Sequence, residues 1–334
     1  MAIKKSVSVG ILGIGSYAPE KILTNFDLEK MVETSDEWIT KRTGISERRI
    51  LEHNEPIYSM AVKAARQAIE DSGISAEDID LVLVSTSTPD YLTPTTSCVI
   101  QKEIGAVNAA AFDLAAACSG FIYGLTVAKQ FIETGYYNNI LLVSSEGMTR
   151  CIDWTDRNNC VLFGDAAGAV VLGKVDDGYG ILSTYIGADG RIGETITIPS
   201  LYRSEIDNSK REKYSNKNAL WQDGQEVFKF AVKIMPYATE KLFEKTDIKL
   251  EDIKYIIPHQ ANMRIIESAA KRLGVAFEKV YTTIRKIGNI SSASIPFAMA
   301  DAYRNKCLAK GDNLVLVGFG GGLTWGSAIV RWSK

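Results

Sequence analysis

Three residues, Cys118, His259 and Asn289, stand in settings from which chemistry could be done. Cys118 lies in Ala-Phe-Asp-Leu-Ala-Ala-Ala-Cys-Ser-Gly-Phe, where an extended segment gives way to a helical pattern from Phe121 to about Glu133. Small neighbours leave room for a substrate, and unpaired amides at a helix start favour negative charge, so a thiolate is expected there. His259 lies in Ile-Ile-Pro-His-Gln-Ala-Asn, and Asn289 in Gly-Asn-Ile-Ser-Ser-Ala-Ser. A thiol, an imidazole and a carboxamide suffice for acyl-thioester chemistry without a cofactor. The thiolate forms an acyl-enzyme, and aimed N–H donors hold the oxyanions. Taken singly, each has a plainer reading: a buried thiol as filler, a satisfied core histidine, a turn asparagine. Cys98, Cys151, Cys160 and Cys307 keep the filler reading.

Bulk properties narrow the classes. The chain has 334 residues, of which 46% are hydrophobic and 23% charged, as in a globular protein with a sizeable core. A net charge of −2 gives no general drive toward nucleic acid. Five cysteines without a pairing pattern fit a reducing compartment. The apolar run from Val7 to Ile14 is interrupted by Gly10 and Gly13 and lacks a cleavage site. It reads as a first buried strand rather than a leader, hence a cytoplasmic protein. No run is long and apolar enough for a membrane span. With two histidines and no Cys-x-x-Cys, a catalytic zinc site is not expected, and Gly10, Gly13 and Gly15 have the wrong spacing for a dinucleotide fingerprint.

The elements that must position the three residues repeat along the chain. Ala61-Val-Lys and Ala231-Val-Lys each open a helical pattern. Ile74-Ser-Ala-Glu-Asp-Ile and Ile248-Lys-Leu-Glu-Asp-Ile each lead into a strand, and Asn139-Ile-Leu-Leu-Val resembles Asn313-Leu-Val-Leu-Val. Such a period suggests two homologous halves, residues 1–178 with the cysteine and 179–334 with the histidine and asparagine. Short apolar strands alternating with amphipathic helices imply βαβ units and a mainly parallel sheet in each half. Ligands gather beyond the carboxyl ends of such strands, which draws Cys118, His259 and Asn289 toward one central site. Asp189 to Asp223 is the least regular stretch and reads as an excursion over the surface, either a flap or a solvated loop.

The segments Ala-Ala-Ala-Cys118-Ser-Gly, Pro-His259-Gln-Ala-Asn262 and Gly288-Asn289-Ile-Ser-Ser-Ala-Ser resemble the active-site motifs of thiolase-type condensing enzymes. Thr34-Ser-Asp-Glu-Trp38-Ile-Thr-Lys-Arg42-Thr-Gly-Ile resembles the signature of one branch, β-ketoacyl-acyl-carrier-protein synthase III. Thr155-Asp-Arg157, Phe163-Gly-Asp-Ala-Ala-Gly-Ala and Phe319-Gly-Gly-Gly-Leu-Thr-Trp325 extend the likeness over essentially the whole chain. The resemblance implies a five-layer αβαβα α/β fold, a homodimer, and decarboxylative condensation of a short acyl-CoA with malonyl-acyl carrier protein. Coenzyme A and the phosphopantetheine arm are then substrates, and no cofactor is required.

By position, the resemblance gives Cys118 the acyl group, and His259 and Asn289 the malonyl thioester oxygen. It makes the amides of Cys118 and Gly321 an oxyanion hole. Trp38 and Arg42 fall at the coenzyme A site, with Arg157 across the adenine, and Asn262 along the pantetheine path. Lys229, Gln260, Arg264, Lys271 and Arg272 match the carrier-protein docking region. Three positions depart from the family pattern: Ile290 follows Asn289, Gln222 replaces a methionine, and Thr93 stands where a phenylalanine often closes the acyl pocket across the dimer. Primer choice is therefore left open. Other readings remain: polyketide priming or head-to-head thioester condensation on the same fold, a cysteine-dependent hydrolase or acyltransferase, and a non-catalytic thioester binder.

Overall fold

The computed structural model describes residues 7–200 and 218–334. The polar centre of the expected surface excursion, 201–217, lies outside the described residues. The first sheet contains β1 (Val9–Tyr17), β2 (Leu81–Ser85), β3 (Ala110–Leu114), β4 (Ile140–Gly147) and β5 (Asp165–Lys174), in the order β1-β5-β4-β2-β3. β2 runs parallel to both neighbours, whereas β5 is antiparallel to β1 and β4. The second sheet contains β6 (Gly180–Ala188), β7 (Ile253–Pro258), β8 (Asn313–Gly320) and β9 (Thr324–Arg331), in the order β7-β8-β9-β6. Its pairing repeats that of β2, β4, β5 and β1. Where β3 would recur, there is only an isolated parallel bridge between Ile256 and Val280.

Strand alternation explains the layers. All eight residues of β4 are buried because both faces are covered. Leu141 and Val143 pack outward on α1 (Tyr58–Ser72) and α2 (Thr96–Ile104). Ile140 and Leu142 pack inward on α3 (Gly120–Glu133) and α6 (Ser294–Arg304). In β8, Leu314 and Leu316 join the same inner core, whereas Val315 and Val317 meet α4 (Gly224–Phe243) and α5 (Met263–Leu273). The result is the five-layer αβαβα sandwich that the resemblance implies. The helix placed at Ala231 from sequence in fact begins at Gly224, because Asp223 accepts from the amides of Gln225 and Glu226 and caps it there.

The glycines of β1 serve packing. A Cβ on Gly13 would lie 2.1 Å from the carbonyl oxygen of Ala68, and one on Gly15 2.3 Å from that of Ala64. The strand therefore runs directly against the α1 backbone. Gly15→Ala is expected to lower stability by about 1–3 kcal/mol through overpacking, read as a lower urea midpoint; an unchanged midpoint would contradict this close approach.

Candidate active site

Two similar strand–turn–helix corners face each other in the central layer. After β3, Ala117 takes a left-handed φ of 45°, the turn Ala117–Ser119 follows, and α3 begins. In the second half Ser291, 174 residues later, takes φ 48°, the turn Ser291–Ala293 follows, and α6 begins. Non-glycine residues adopt this conformation only where their surroundings impose it. Here the close strand ends do so. A Cβ on Gly320 would lie 2.5 Å from the Cys118 amide nitrogen, so the end of β8 runs against the cysteine backbone.

His259 follows β7 directly, and its amide donates to the Val317 carbonyl at 2.8 Å. Its Nδ1 lies 2.8 Å from Ser294 Oγ, which also accepts from the Gln260 amide at 3.3 Å. The serine hydroxyl is free to donate to Nδ1, and with its proton assigned there the imidazole carries its own on Nε2. The ring is 2% exposed, and burial pushes its pKa down to about 3. The histidine is thus a neutral donor.

Asn289 is fixed from both sides. Its amide donates to the Leu162 carbonyl at 2.8 Å, and its carbonyl accepts from Gly164 at 3.1 Å. Its Oδ1 accepts from the Ser291 amide at 2.9 Å, which leaves the Nδ2 hydrogens for a ligand. Gly288 precedes it with φ 72°, and a Cβ there would stand 2.9 Å from the Leu162 oxygen, so only glycine suits the turn.

Cys118, His259, Asn289, Gly321 and Thr93 all line one cavity of about 1280 Å³. Ser291 Oγ lies 3.3 Å from Cys118 Sγ. Burial pushes the Cys118 thiol up to about 12, with the Ser291 contact opposing. Enclosure thus works against the thiolate that the helix start favours.

A second cavity, of about 1030 Å³, holds Trp38, Arg42, Asn262, Lys229 and Arg264. Leu220 and Gln222 line both, so the two adjoin. Trp38 is flanked by Arg42 and Arg157, whose guanidinium carbons lie 5.1 and 4.9 Å from its ring centroid. Arg157 thus occupies the indole face expected to receive a base, and a planar ring enters there only by displacing it. Asn262 Oδ1 caps α5 by accepting from the Arg264 amide at 2.9 Å.

The docking residues divide. Lys229, paired with Glu226 at 2.8 Å, and Arg264 are exposed at this outer cavity. Lys271 and Arg272 are also exposed but lie at the far end of α5, about 10 Å along the helix from Arg264. Gln260 is a correction: it is fully buried. Its Nε2 donates to Pro258 O at 2.7 Å, and its Oε1 accepts from the Thr283 amide at 3.0 Å, so it braces the His259 loop and cannot meet a partner protein.

Sequence reasoning missed Ser291, Ser294 and Glu146. The serines lie inside the Asn289 motif without having been singled out, and Glu146 left a signal as the sole charge in an otherwise uncharged, fully buried strand. Among the described residues no group of three His, Cys, Asp or Glu side chains is placed to hold a metal, and no helix is long and apolar enough to cross a membrane. The depressed His259 predicts that its imidazole resonances stay fixed between pH 5 and 8, because the ring protonates only near its lowered pKa. An NMR titration with a midpoint near the ordinary value would refute the neutral-donor assignment.

Comparison with known proteins agrees with this geometry. Residues 112–190 match the family model of 3-oxoacyl-[acyl-carrier-protein] synthase III, and residues 243–332 match that of its C-terminal region. The β-ketoacyl-[acyl-carrier-protein] synthase III of Caldanaerobacter subterraneus subsp. tengcongensis is 51% identical over 330 residues, 99% of either chain. The crystal structure of 3-oxoacyl-[acyl-carrier-protein] synthase III from Aquifex aeolicus VF5 superposes with a TM-score of 0.90 at 42% identity, covering 97% of this chain and 100% of that one. The priming β-ketosynthase of the R1128 polyketide pathway does so at 0.90 and 36%, covering 100% and 99%. With this fold, this site and these relatives, the chain belongs to the β-ketoacyl-acyl-carrier-protein synthase III family of thiolase-like condensing enzymes.

Proposed function

We propose that the protein catalyses the initiating condensation of type II fatty-acid synthesis in the cytoplasm, joining a short acyl group from coenzyme A to malonyl-acyl carrier protein with loss of carbon dioxide. The observation that carries this reading is the meeting of Cys118, His259 and Asn289 on one cavity wall. Cys118 takes the acyl group, and the amides of Cys118 and Gly321 hold the attacked carbonyl oxygen. The malonyl thioester then places its oxygen between His259 Nε2–H and the Asn289 amide. Two neutral donors stabilise the enolate left by decarboxylation, and its carbon attacks the acyl-cysteine. A hydrolase has no use for this second pair of donors, which favours condensation over hydrolysis or passive binding.

Trp38, Arg42 and Arg157 are the candidate nucleotide grip, and the outer cavity offers Arg42, Lys229 and Arg264 to the phosphates and acidic carrier protein. The chain is read as two copies of one unit, 1–178 and 179–334, a division supported by the shared strand order. It is also read as a homodimer. β3 ends the first sheet with Phe112 exposed, and Tyr91, Leu92 and Thr93 stand out beside the acyl cavity. A second reading keeps the chemistry but changes the primer. The small Thr93 beside the acyl cavity favours longer or branched acyl groups, and the R1128 priming enzyme shows that the same fold serves a polyketide pathway.

Exposure to a panel of acyl-CoA thioesters, followed by mass spectrometry, is expected to place one acyl group on Cys118 and report which chains fit. Cys118→Ala is expected to abolish the adduct and condensation, whereas His259→Ala and Asn289→Ala should keep acylation but lose at least 100-fold in decarboxylation, the scale of one lost oxyanion donor. Condensation surviving in Cys118→Ala would end this reading. Arg264→Glu should raise KM for malonyl-carrier protein about tenfold, the scale of a lost charge contact, and alter KM for acyl-CoA less; equal changes would remove Arg264 from the docking surface.

A further inference from the structure

Glu146 is a carboxylate the condensation scheme leaves unused. It ends β4 inside the protein, fully buried, with four donors directed at it. Oε2 accepts from the Ser87 amide and Thr88 Oγ1, each at 3.0 Å; Oε1 accepts from Ser292 Oγ at 2.6 Å and Ser291 Oγ at 3.1 Å. Thr88 Oγ1 itself accepts from the Gly147 amide, so its hydrogen belongs to Glu146. The four donors favour the ionised carboxylate and burial favours the protonated one, so the group is able to take up a proton.

Ser291 joins this carboxylate to the nucleophile. Its Oγ stands 3.1 Å from Glu146 Oε1 and 3.3 Å from Cys118 Sγ. One hydroxyl has one hydrogen. It can go to Cys118 Sγ or to Glu146 Oε1; in the second arrangement the serine oxygen is left to accept from the cysteine S–H. The imidazole is poorly suited to this task, because Ser294 holds the tautomer whose Nε2 already carries a proton. We propose that Cys118, Ser291 and Glu146 form a proton relay, in which Ser291 is the second residue acting on the reacting sulfur and Glu146 acts through it.

The step balances. As the sulfur attacks the acyl thioester, the S–H bond breaks and its proton passes to Ser291 Oγ, while the serine proton passes to Glu146 Oε1. The bond from the acyl carbon to Cys118 forms, the bond to the coenzyme A sulfur breaks, and the departing thiolate is protonated by solvent. After condensation expels Cys118 as a thiolate, Glu146 returns the stored proton through Ser291. Burial raises the Glu146 carboxyl above its ordinary value while the four donors oppose, which brings it closer to a thiol as a proton acceptor.

The relay rests on Cys118 being the acylated residue, so wild-type protein is first shown by peptide mass spectrometry to carry the acyl group there; failure of that step removes the parent reading. Rapid-quench acylation with the best acyl-CoA, and carbon dioxide release from malonyl-carrier protein without primer, are then compared in Ser291→Ala, Glu146→Gln and the double variant. Ser291→Ala keeps the peptide amide that holds Asn289. Acylation is expected to fall at least tenfold in each single variant, with decarboxylation within threefold of wild type and the double variant no slower than the slower single. A smaller fall, a parallel loss of both half-reactions, or additive losses would overturn the relay while leaving the acyl-cysteine intact. If Glu146→Gln does not fold, as judged by circular dichroism, Ser291→Ala decides alone.

Discussion

Everything at the site follows from placing the starts of two helices where neither has a wet side. α3 and α6 lie between the sheets, so each polar group near their starts must be paired within the protein or turned toward a substrate. Ser291, Ser292 and Ser294 are all almost fully buried, and each hydroxyl has an assigned contact to Glu146, Cys118 or His259. Such closure makes the imidazole neutral and the thiol reluctant to ionise. It also lets two uncharged N–H donors act strongly on an oxyanion, since little water competes for it.

The two similar corners offer matching places and fill them differently. At the 174-residue spacing Cys118 corresponds to Ser292, Ser85 to His259, and Glu146 to Gly320. Where the second half needs the chain to press on the cysteine amide it carries glycine; where the first half faces the serine corner it carries a carboxylate. One corner carries the thiol, and the other carries hydroxyl and carboxamide groups. Both have a left-handed residue at the bend, so one backbone shape holds two different sets of side chains.

Much of this was legible in the sequence, because the three active-site segments are local and the strand pattern is strongly apolar. The layers followed from alternation, and the meeting of Cys118 with His259 and Asn289 followed from aligning the halves. What could not be read depended on distance in the chain or on enclosure. Ser291 meets Cys118 across 173 positions, and Ser292 meets Glu146 across 146. Gln260 stood beside the histidine and was assigned to the surface, but the turn after β7 sends its amide inward. The burial that opposes a thiolate at Cys118 is likewise invisible, since a helix start can be seen in sequence and its enclosure cannot. The resemblance set Arg157 opposite Trp38 with a base between them, but the direct contact of the two is a property of the folded loop alone.

The close approach of Gly320 to the Cys118 backbone has a consequence for how this molecule can vary. Cys118 and His259 follow strands of different sheets, so the gap between those sheets bears on the distance from thiol to imidazole. Small side chains such as Ala128, Ala298 and Ala302 set the thickness of the filling. A single bulkier substitution there would act as a shim, widening the waist and drawing sulfur away from imidazole without touching either. Tolerance to change in this interior is therefore limited by chemistry before it is limited by folding.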